Sequence, residues 1–240
     1  HCIREDLNDK APRAMAVLDP IRVTLTNWEE GNIVYLPTEN HPAHPEMGNR
    51  EVAFGKHLLI EREDFMEDAP KKFFRLAPGR EVRLKAAYII RCDEVVKDDA
   101  GNVTELLCSV DLTSLSGGEG ANRKVKGTLH WVEETTAQPI EARLYDYMLK
   151  EDEPEDENDA ETEGEEEAEA AKEKDFTDSF NWDSVKVLDH AVIEGGLKDA
   201  KVGDHFQFMR QGYFVVDKDS TPERPVYNRT VGLKGSYKPE

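Results

Sequence analysis

No apolar run in the 240-residue chain approaches the length of a bilayer span, so nothing in it reads as a transmembrane helix. No charged-then-apolar leader opens the chain, and secretion is not expected. There are only three cysteines, Cys2, Cys92 and Cys108. Their odd number and spacing fit no zinc or redox motif, which points to reduced thiols in a cytoplasmic setting. Cys92 and Cys108 fall on the two arms of an expected hairpin, where two packed thiols are the better reading than a bridge. The chain also lacks a phosphate-cradling glycine loop and any Ser or Cys in a nucleophile motif. No catalytic residue is therefore assigned. HPAHPE (41–46) holds two histidines and a carboxylate, but its prolines give no regular ligand geometry and no second pair follows, so no metal site is expected. Since the first residues are His-Cys-Ile rather than Met, the chain reads as a piece of something longer.

What the chain has in excess is negative charge, and it is unevenly placed. The formal net charge is −20, of which residues 151–174 carry −12, leaving −8 on the other 216 residues. That segment has no aromatic or β-branched aliphatic residue and cannot bury enough surface to offset its ordering entropy. It reads as a solvated acidic loop, with transient helicity in its second half. The ordered body is thus less acidic than the whole, and its cations can be grouped.

Outside this segment strands dominate. CIREDLND (2–9) looks like the end of a helix that stops before Ala11-Pro12. PIRVTLTNW (20–28) alternates apolar and polar residues, and EVAFGKHLLIER (51–62) is a second extended region. A proline-rich loop (37–50) lies between them, and a short helix is expected over 62–68. REVRLKAAYIIR (80–91) reads as one strand with Val82, Leu84, Tyr88 and Ile90 on one face, Arg83, Lys85 and Arg91 on the other. A hairpin follows, 86–96 and 102–111 flanking a turn in which Asp and Gly supply the required conformations. A glycine-rich connection (114–124) leads to strands over 125–134 and 140–149. Beyond the acidic loop, 184–194, 203–217 and 226–234 are extended. Many short strands separated by turn signals indicate an all-β fold of barrels. GREVRLKAAYII (79–90) echoes GDHFQFMRQGYFV (203–215), with one extra residue in the second copy that predicts a bulge near Gly212. The echo hints at two barrels in tandem and sets Gln207 where Arg83 stands.

Lys71, Lys72, Arg75, Arg80, Arg83 and Lys85 cluster within 15 positions, interleaved with Phe73 and Phe74. Such cations can neutralise phosphates and such rings can stack unpaired bases. A solvated strand face over core phenylalanines is the plainer reading of the same residues. If a nucleic acid binds, single-stranded RNA suits a barrel surface better than duplex DNA.

REDLNDKAPRAMAVLDP (4–20), HPAHPEMGNREV (41–52), EVRLKAAYII (81–90), KVKGTLHWV (124–132), GDHFQFMRQGYF (203–214) and VYNRTVGLK (226–234) together closely resemble the C-terminal half of bacterial-type glutaminyl-tRNA synthetases. The resemblance runs in order along nearly the whole chain and is broken mainly by the acidic segment. It implies two tandem six-stranded β-barrels: residues 1–14 as the tail of a preceding helical domain, 15–117 as the proximal barrel and 118–240 as the distal one. The acidic loop (150–175) would lie within the distal barrel, and a return of the C-terminal strand to the first barrel stays open. Carried over residue by residue, Arg13, Gln207 and Arg210 would hold the central anticodon base and Arg75 would read the third. Arg83 and Lys85 would lie around the first base and its phosphate, with Asn8 as a neighbouring polar contact. Lys72 and Phe74 fall where the family has glutamine and lysine near the third base, and Ala43 where it has asparagine. Lys85 replaces an arginine, so a bidentate phosphate contact becomes a point charge. The class I nucleotide-binding signatures are missing, so the resemblance implies no cofactor here, ATP with magnesium in the full-length enzyme, and no aminoacylation by this chain alone. The expected partner is the anticodon loop of tRNA(Gln), bound by a monomer, with neither DNA nor a membrane involved. Archaeal or eukaryotic-type glutamyl-tRNA synthetases share the barrels and are one alternative. A β-barrel protein-interaction module using the acidic loop is another.

Overall fold

A computed structural model of the protein describes residues 2–149 and 176–234; the acidic segment, and with it the expected loop and its helical second half, lies outside the described residues. The chain opens with α1 (Cys2–Lys10), ending where the sequence predicts, ahead of Pro12. The strands follow in order: β1 (Arg13–Ala14), β2 (Ala16–Val17), β3 (Pro20–Leu25), β4 (Val34–Glu39), β5 (Asn49–Phe54) and β6 (His57–Glu61). Next come β7 (Glu81–Leu84), β8 (Ile89–Lys97), β9 (Val103–Asp111), β10 (Thr128–Leu129) and β11 (Val132–Glu133). The last are β12 (Gln138–Tyr145), β13 (Val185–Ile193), β14 (His205–Phe208), β15 (Gly212–Val216) and β16 (Val226–Val231). The only element over 62–68 is a single 3-10 turn, Arg62–Asp64. Among the described residues no helix is long and apolar enough to cross a membrane.

Two large sheets carry the architecture, ordered β10-β7-β8-β9-β3-β6-β11 and β1-β14-β15-β16-β12-β13-β2. In each, the two edge strands are halves of one bent segment, 128–133 in the first sheet and 13–17 in the second. Joining the halves closes each sheet into a six-stranded barrel. The two barrels share one spatial strand order, including a parallel pair at the same place, β3 with β9 and β12 with β16, but the bent segment comes last along the chain in the first barrel and first in the second. The echo between 79–90 and 203–215 is thus a structural duplication.

The two bent segments each join the barrel that is distant in sequence from one of their neighbours. Residues 13–17 pair in the second barrel with β14 and β13, whereas 128–133 pair in the first with β7 and β6. The C-terminal strand β16 stays in the second barrel, between β15 and β12. The reason is the period-two alternation along 13–17: Ala14 and Ala16 face the second core, Met15 and Val17 the first. The segment is a wall common to both barrels.

Two long strands of the sequence reading are hairpins. Residues 80–91 turn back at 85–88, so that Val82 pairs with Ile90 and Arg83 with Ile89. Residues 203–217 turn back at 209–211, with Phe208 opposite Gly212. Alternation survives the turns because cross-strand partners face the same core, so the apolar pattern reads straight through. The left-handed residues at the two turns are Ala86 (φ 59°) and Arg210 (φ 67°) rather than glycines, so the usual punctuation is absent. The bulge expected near Gly212 is not found there: β14 and β15 pair without a shift, at the same spacing as β7 and β8. The irregularity lies on β16, where Tyr213 faces Val231 and Phe214 faces Arg229, leaving Thr230 as the extra residue. The 51–62 segment also divides, β5 pairing with β4 and β6 with β3.

The first core is built on Trp131, Phe54 and Trp28 in edge-on contact, and the second on Phe208 stacked against Phe214 with centroids 4.3 Å apart. Helix α1 docks on the second barrel through Leu7, which packs with Ala11 and Tyr213. Cys92 and Cys108 are register partners on β8 and β9, buried and unbridged. Burial and the Cys92 hydrogen bond push the Cys108 thiol up, the latter being the larger cause, while that bond draws Cys92 down.

Candidate nucleic-acid interface

The duplication sets two equivalent corners face to face. In one, Arg83 of β7 lies beside Thr128 of the short parallel strand β10, and the chain turns at Lys85 and Ala86. In the other, Gln207 of β14 lies beside Arg13 of the short parallel strand β1, and the chain turns at Met209 and Arg210. Between the corners is a pocket of about 340 Å³ lined by Arg13, Lys85, Gln207 and Arg210, with His130 and Met209. Residues far apart in sequence thus meet because each barrel contributes the same hairpin turn.

The groups in this pocket are held firmly from behind. Arg13, only 8% exposed, donates to the Ala11 carbonyl at 2.7 Å and to the Asn8 carbonyl and side chain at 3.0 Å. Burial pulls its guanidinium pKa down. Tyr213 donates to Asn8 Oδ1 at 2.9 Å and accepts from Gln207 Nε2 at 3.3 Å. Asn8, Arg13 and Gln207 therefore form one connected set. Arg210 places its terminal nitrogens on the two carboxylate oxygens of Asp64, at 2.5 and 2.6 Å. Asp64 is fully buried, and its hydrogen bonds raise the Arg210 pKa. The fork occupies two of five guanidinium N–H donors. A left-handed conformation costs a non-glycine residue roughly 1–2 kcal/mol, which the charge-assisted fork can offset. Lys85 lies 3.4 Å from Glu39 and is half-buried.

A second basic pocket, about 360 Å³, lies beside the first barrel and takes in Arg75, Lys71, Phe74, Lys124 and Lys126. Phe74 is 49% exposed, with the Lys126 ammonium 5.0 Å from its ring centroid. Arg75 donates to the Glu63 carbonyl at 3.0 Å and pairs with Asp64 at 3.3 Å. Lys72 is exposed and lines neither pocket.

Arg83 is placed differently. Its guanidinium donates to the carbonyls of Ser114, Ala121 and Arg123 and to Ser116 Oγ, at 2.8 to 3.4 Å. It braces the 114–124 connection and does not line the pocket between the corners. The paired histidines are likewise engaged: His41 bridges the Asn8 carbonyl and the Ala43 amide, and His44 joins Asp9 and Glu46. Among the described residues no group of three His, Cys, Asp or Glu is set to hold a metal ion.

Sequence reasoning missed the groups that organise the site. Asp64 and Arg210 are 146 positions apart, and Tyr213 and Asn8 are 205 apart. Glu61, buried on β6, accepts from the amides of Leu18 and Asp19, from Gln211 Nε2 and from His130, tying the first barrel to the second. Nothing in the local pattern of 61-EREDF-65 marks either carboxylate.

Residues 11–111 and 128–217 each match a family model described as an anticodon-binding domain of class I tRNA synthetases (E and Q). Among curated relatives, the glutamine–tRNA ligase of Aliivibrio salmonicida is 44% identical over 237 residues, 98% of this chain and 40% of that protein. That of Bradyrhizobium diazoefficiens is 41% identical over 239 residues, spanning 100% of this chain and 40% of that protein. That of Rhodopirellula baltica is 45% identical over 235 residues, 98% of this chain and 37% of that protein.

Proposed function

Since the chain belongs to the family of class I (E and Q) tRNA synthetase anticodon-binding domains, we propose that its barrels grip the anticodon loop of tRNA(Gln). In this reading the chain serves a longer glutamine–tRNA ligase of the cytoplasm, a monomer whose other part uses ATP with magnesium. The observation that carries the reading is the convergence of Arg13, Gln207 and Arg210 with Lys85 in one pocket between duplicated corners.

The central base would enter that pocket splayed from its neighbours. Gln207 offers both a donor and an acceptor to its polar edge, while Arg13 and the free N–H groups of Arg210 supply further donors. A wrong base would leave such groups unpaired, and discrimination follows from that penalty. Lys85 would meet a phosphate as a point charge. The third base would lie against Arg75, where exposed Phe74 offers a stacking face and Lys71, Lys124 and Lys126 offer charge for the backbone. Lys72 would add a further backbone charge. Asn8 would act through Arg13 and Tyr213, and Arg83 by bracing the connection that carries Lys124 and leads to Lys126.

The test is charging of tRNA(Gln) by the longer protein, with the central anticodon base varied and tRNA(Glu) as competitor. We expect kcat/KM for glutamine attachment to fall at least ~100-fold when the central base changes. Equal charging of both central-base forms, or preference for tRNA(Glu), would refute the reading.

A further inference from the structure

Asp64 stands behind both pockets. It is fully buried, on the 3-10 turn that follows β6, and its backbone carbonyl accepts from the Leu76 amide, which pins the segment carrying Arg75 beside it. Its Oδ2 takes one nitrogen of Arg210, and its Oδ1 is shared, 2.6 Å from the other nitrogen of Arg210 and 3.3 Å from Arg75 Nε. A carboxylate out of water needs strong partners, and the protein supplies two guanidiniums that face different pockets. Both remain accessible, Arg210 at 32% and Arg75 at 38% exposure.

We infer that Asp64 is a positioning residue that makes recognition of the second and third anticodon bases interdependent. The inference rests on the function proposed above. When the third base or its phosphate draws Arg75 outward, Oδ1 is left wholly to Arg210. The fork then tightens and Arg210 is held more firmly at the central base. When Arg210 is loosened by a wrong central base, Oδ1 is freed for Arg75 and pulls it back from the third. Discrimination at one position therefore reinforces discrimination at the other, through one shared oxygen atom. Neither arginine needs to move far, because the carboxylate is fixed by its backbone and by burial.

The experiment is equilibrium binding of the protein to anticodon stem-loops with the native sequence, a changed central base or a changed third base. Arg210→Ala is expected to lose discrimination at the centre and Arg75→Ala at the third position. Asp64→Asn keeps the shape and removes the charge, and is expected to lose about tenfold in discrimination at both positions. A merely structural role would weaken all three loops equally and leave the ratios intact, and that result would overturn the inference. Should Asp64→Asn fail to fold, the cycle of Arg75→Ala and Arg210→Ala decides, since both side chains are surface-accessible. Non-additive loss, by about fivefold or more, is expected; additive loss would overturn the coupling. If the unaltered protein binds all three loops equally, the function proposed above fails and the coupling fails with it. If it discriminates and both tests above are negative, only the coupling fails.

Discussion

Glu61→Gln is the change that best tests how the two barrels are joined. The carboxylate is 2% exposed. Oε1 accepts from the Leu18 amide at 2.7 Å and Gln211 Nε2 at 2.8 Å, and Oε2 accepts from the Asp19 amide at 3.1 Å. Glutamine preserves the volume but has one acceptor oxygen. If that oxygen keeps the place of Oε1, the new NH2 group points at the Asp19 amide and donor faces donor. The loss comprises the charge-assisted character of the remaining bonds and one buried amide without a partner. At roughly 1–3 kcal/mol for each of these effects, the total is about 3 kcal/mol. For a chain of this size that corresponds to a melting shift of about 6–12 °C. Urea titration followed by tryptophan fluorescence and by far-UV circular dichroism measures it. Because 13–17 is a wall of both barrels, the two signals should shift together. A loss under about 1 kcal/mol, or separation of the probes with only one barrel affected, would refute the account of Glu61 as the joint.

Three further outcomes follow from the same geometry. Arg83→Met should cost about 2 kcal/mol and speed amide exchange across 114–123, where its guanidinium makes its bonds; unchanged exchange there would contradict the bracing role. His44 is raised above its usual 6.5 by hydrogen bonds to Asp9 and then Glu46, while His44 lowers Asp9. A histidine whose pKa rises on folding contributes in full below its unfolded value and loses that contribution as pH climbs through the folded one. The tie between α1 and the proline-rich loop should therefore hold through mildly acidic pH and weaken as pH rises above 6.5, and a His44 titration by NMR with a midpoint at or below 6.5 would contradict it. A thiol reagent should modify exposed Cys2 rapidly in the native protein and reach buried Cys92 and Cys108 only on unfolding; modification of all three in the folded state would disprove the packing described.

Much of the fold was legible because its signals are local. The hairpin turn at 97–102 carries its own chemistry: Asp98 accepts from the amides of Ala100 and Asn102, and Gly101 takes φ 85°. The turns at Ala86 and Arg210 carry no such mark, and there the sequence reads as unbroken strand. The exchange of edge segments between the barrels was not legible, for another reason. Whether Ala14 belongs opposite Phe208 and Ala16 opposite Ile193 depends on pairing, which alternation in 13–17 alone cannot specify. Composition located the cations of 71–85 but could not separate Arg83, which faces inward to the 114–124 connection, from Lys85, which faces the pocket. Only the family resemblance pointed to Arg13, Gln207 and Arg210 together. Asp64, Glu61 and Tyr213 gave no signal, because each matters through partners far off in the chain.

The central claim, that the pocket between the duplicated corners reads the middle anticodon base, is tested most directly by binding across a salt series. The protein would be titrated with a glutamine anticodon stem-loop and with the same loop altered only at its central base, alongside Gln207→Ala. The account predicts that both loops weaken with salt, with a slope of about −0.7 per phosphate contacted. It also predicts that the difference between them persists across the series and disappears in Gln207→Ala. Equal binding of the two loops by the unaltered protein at every salt concentration would contradict it.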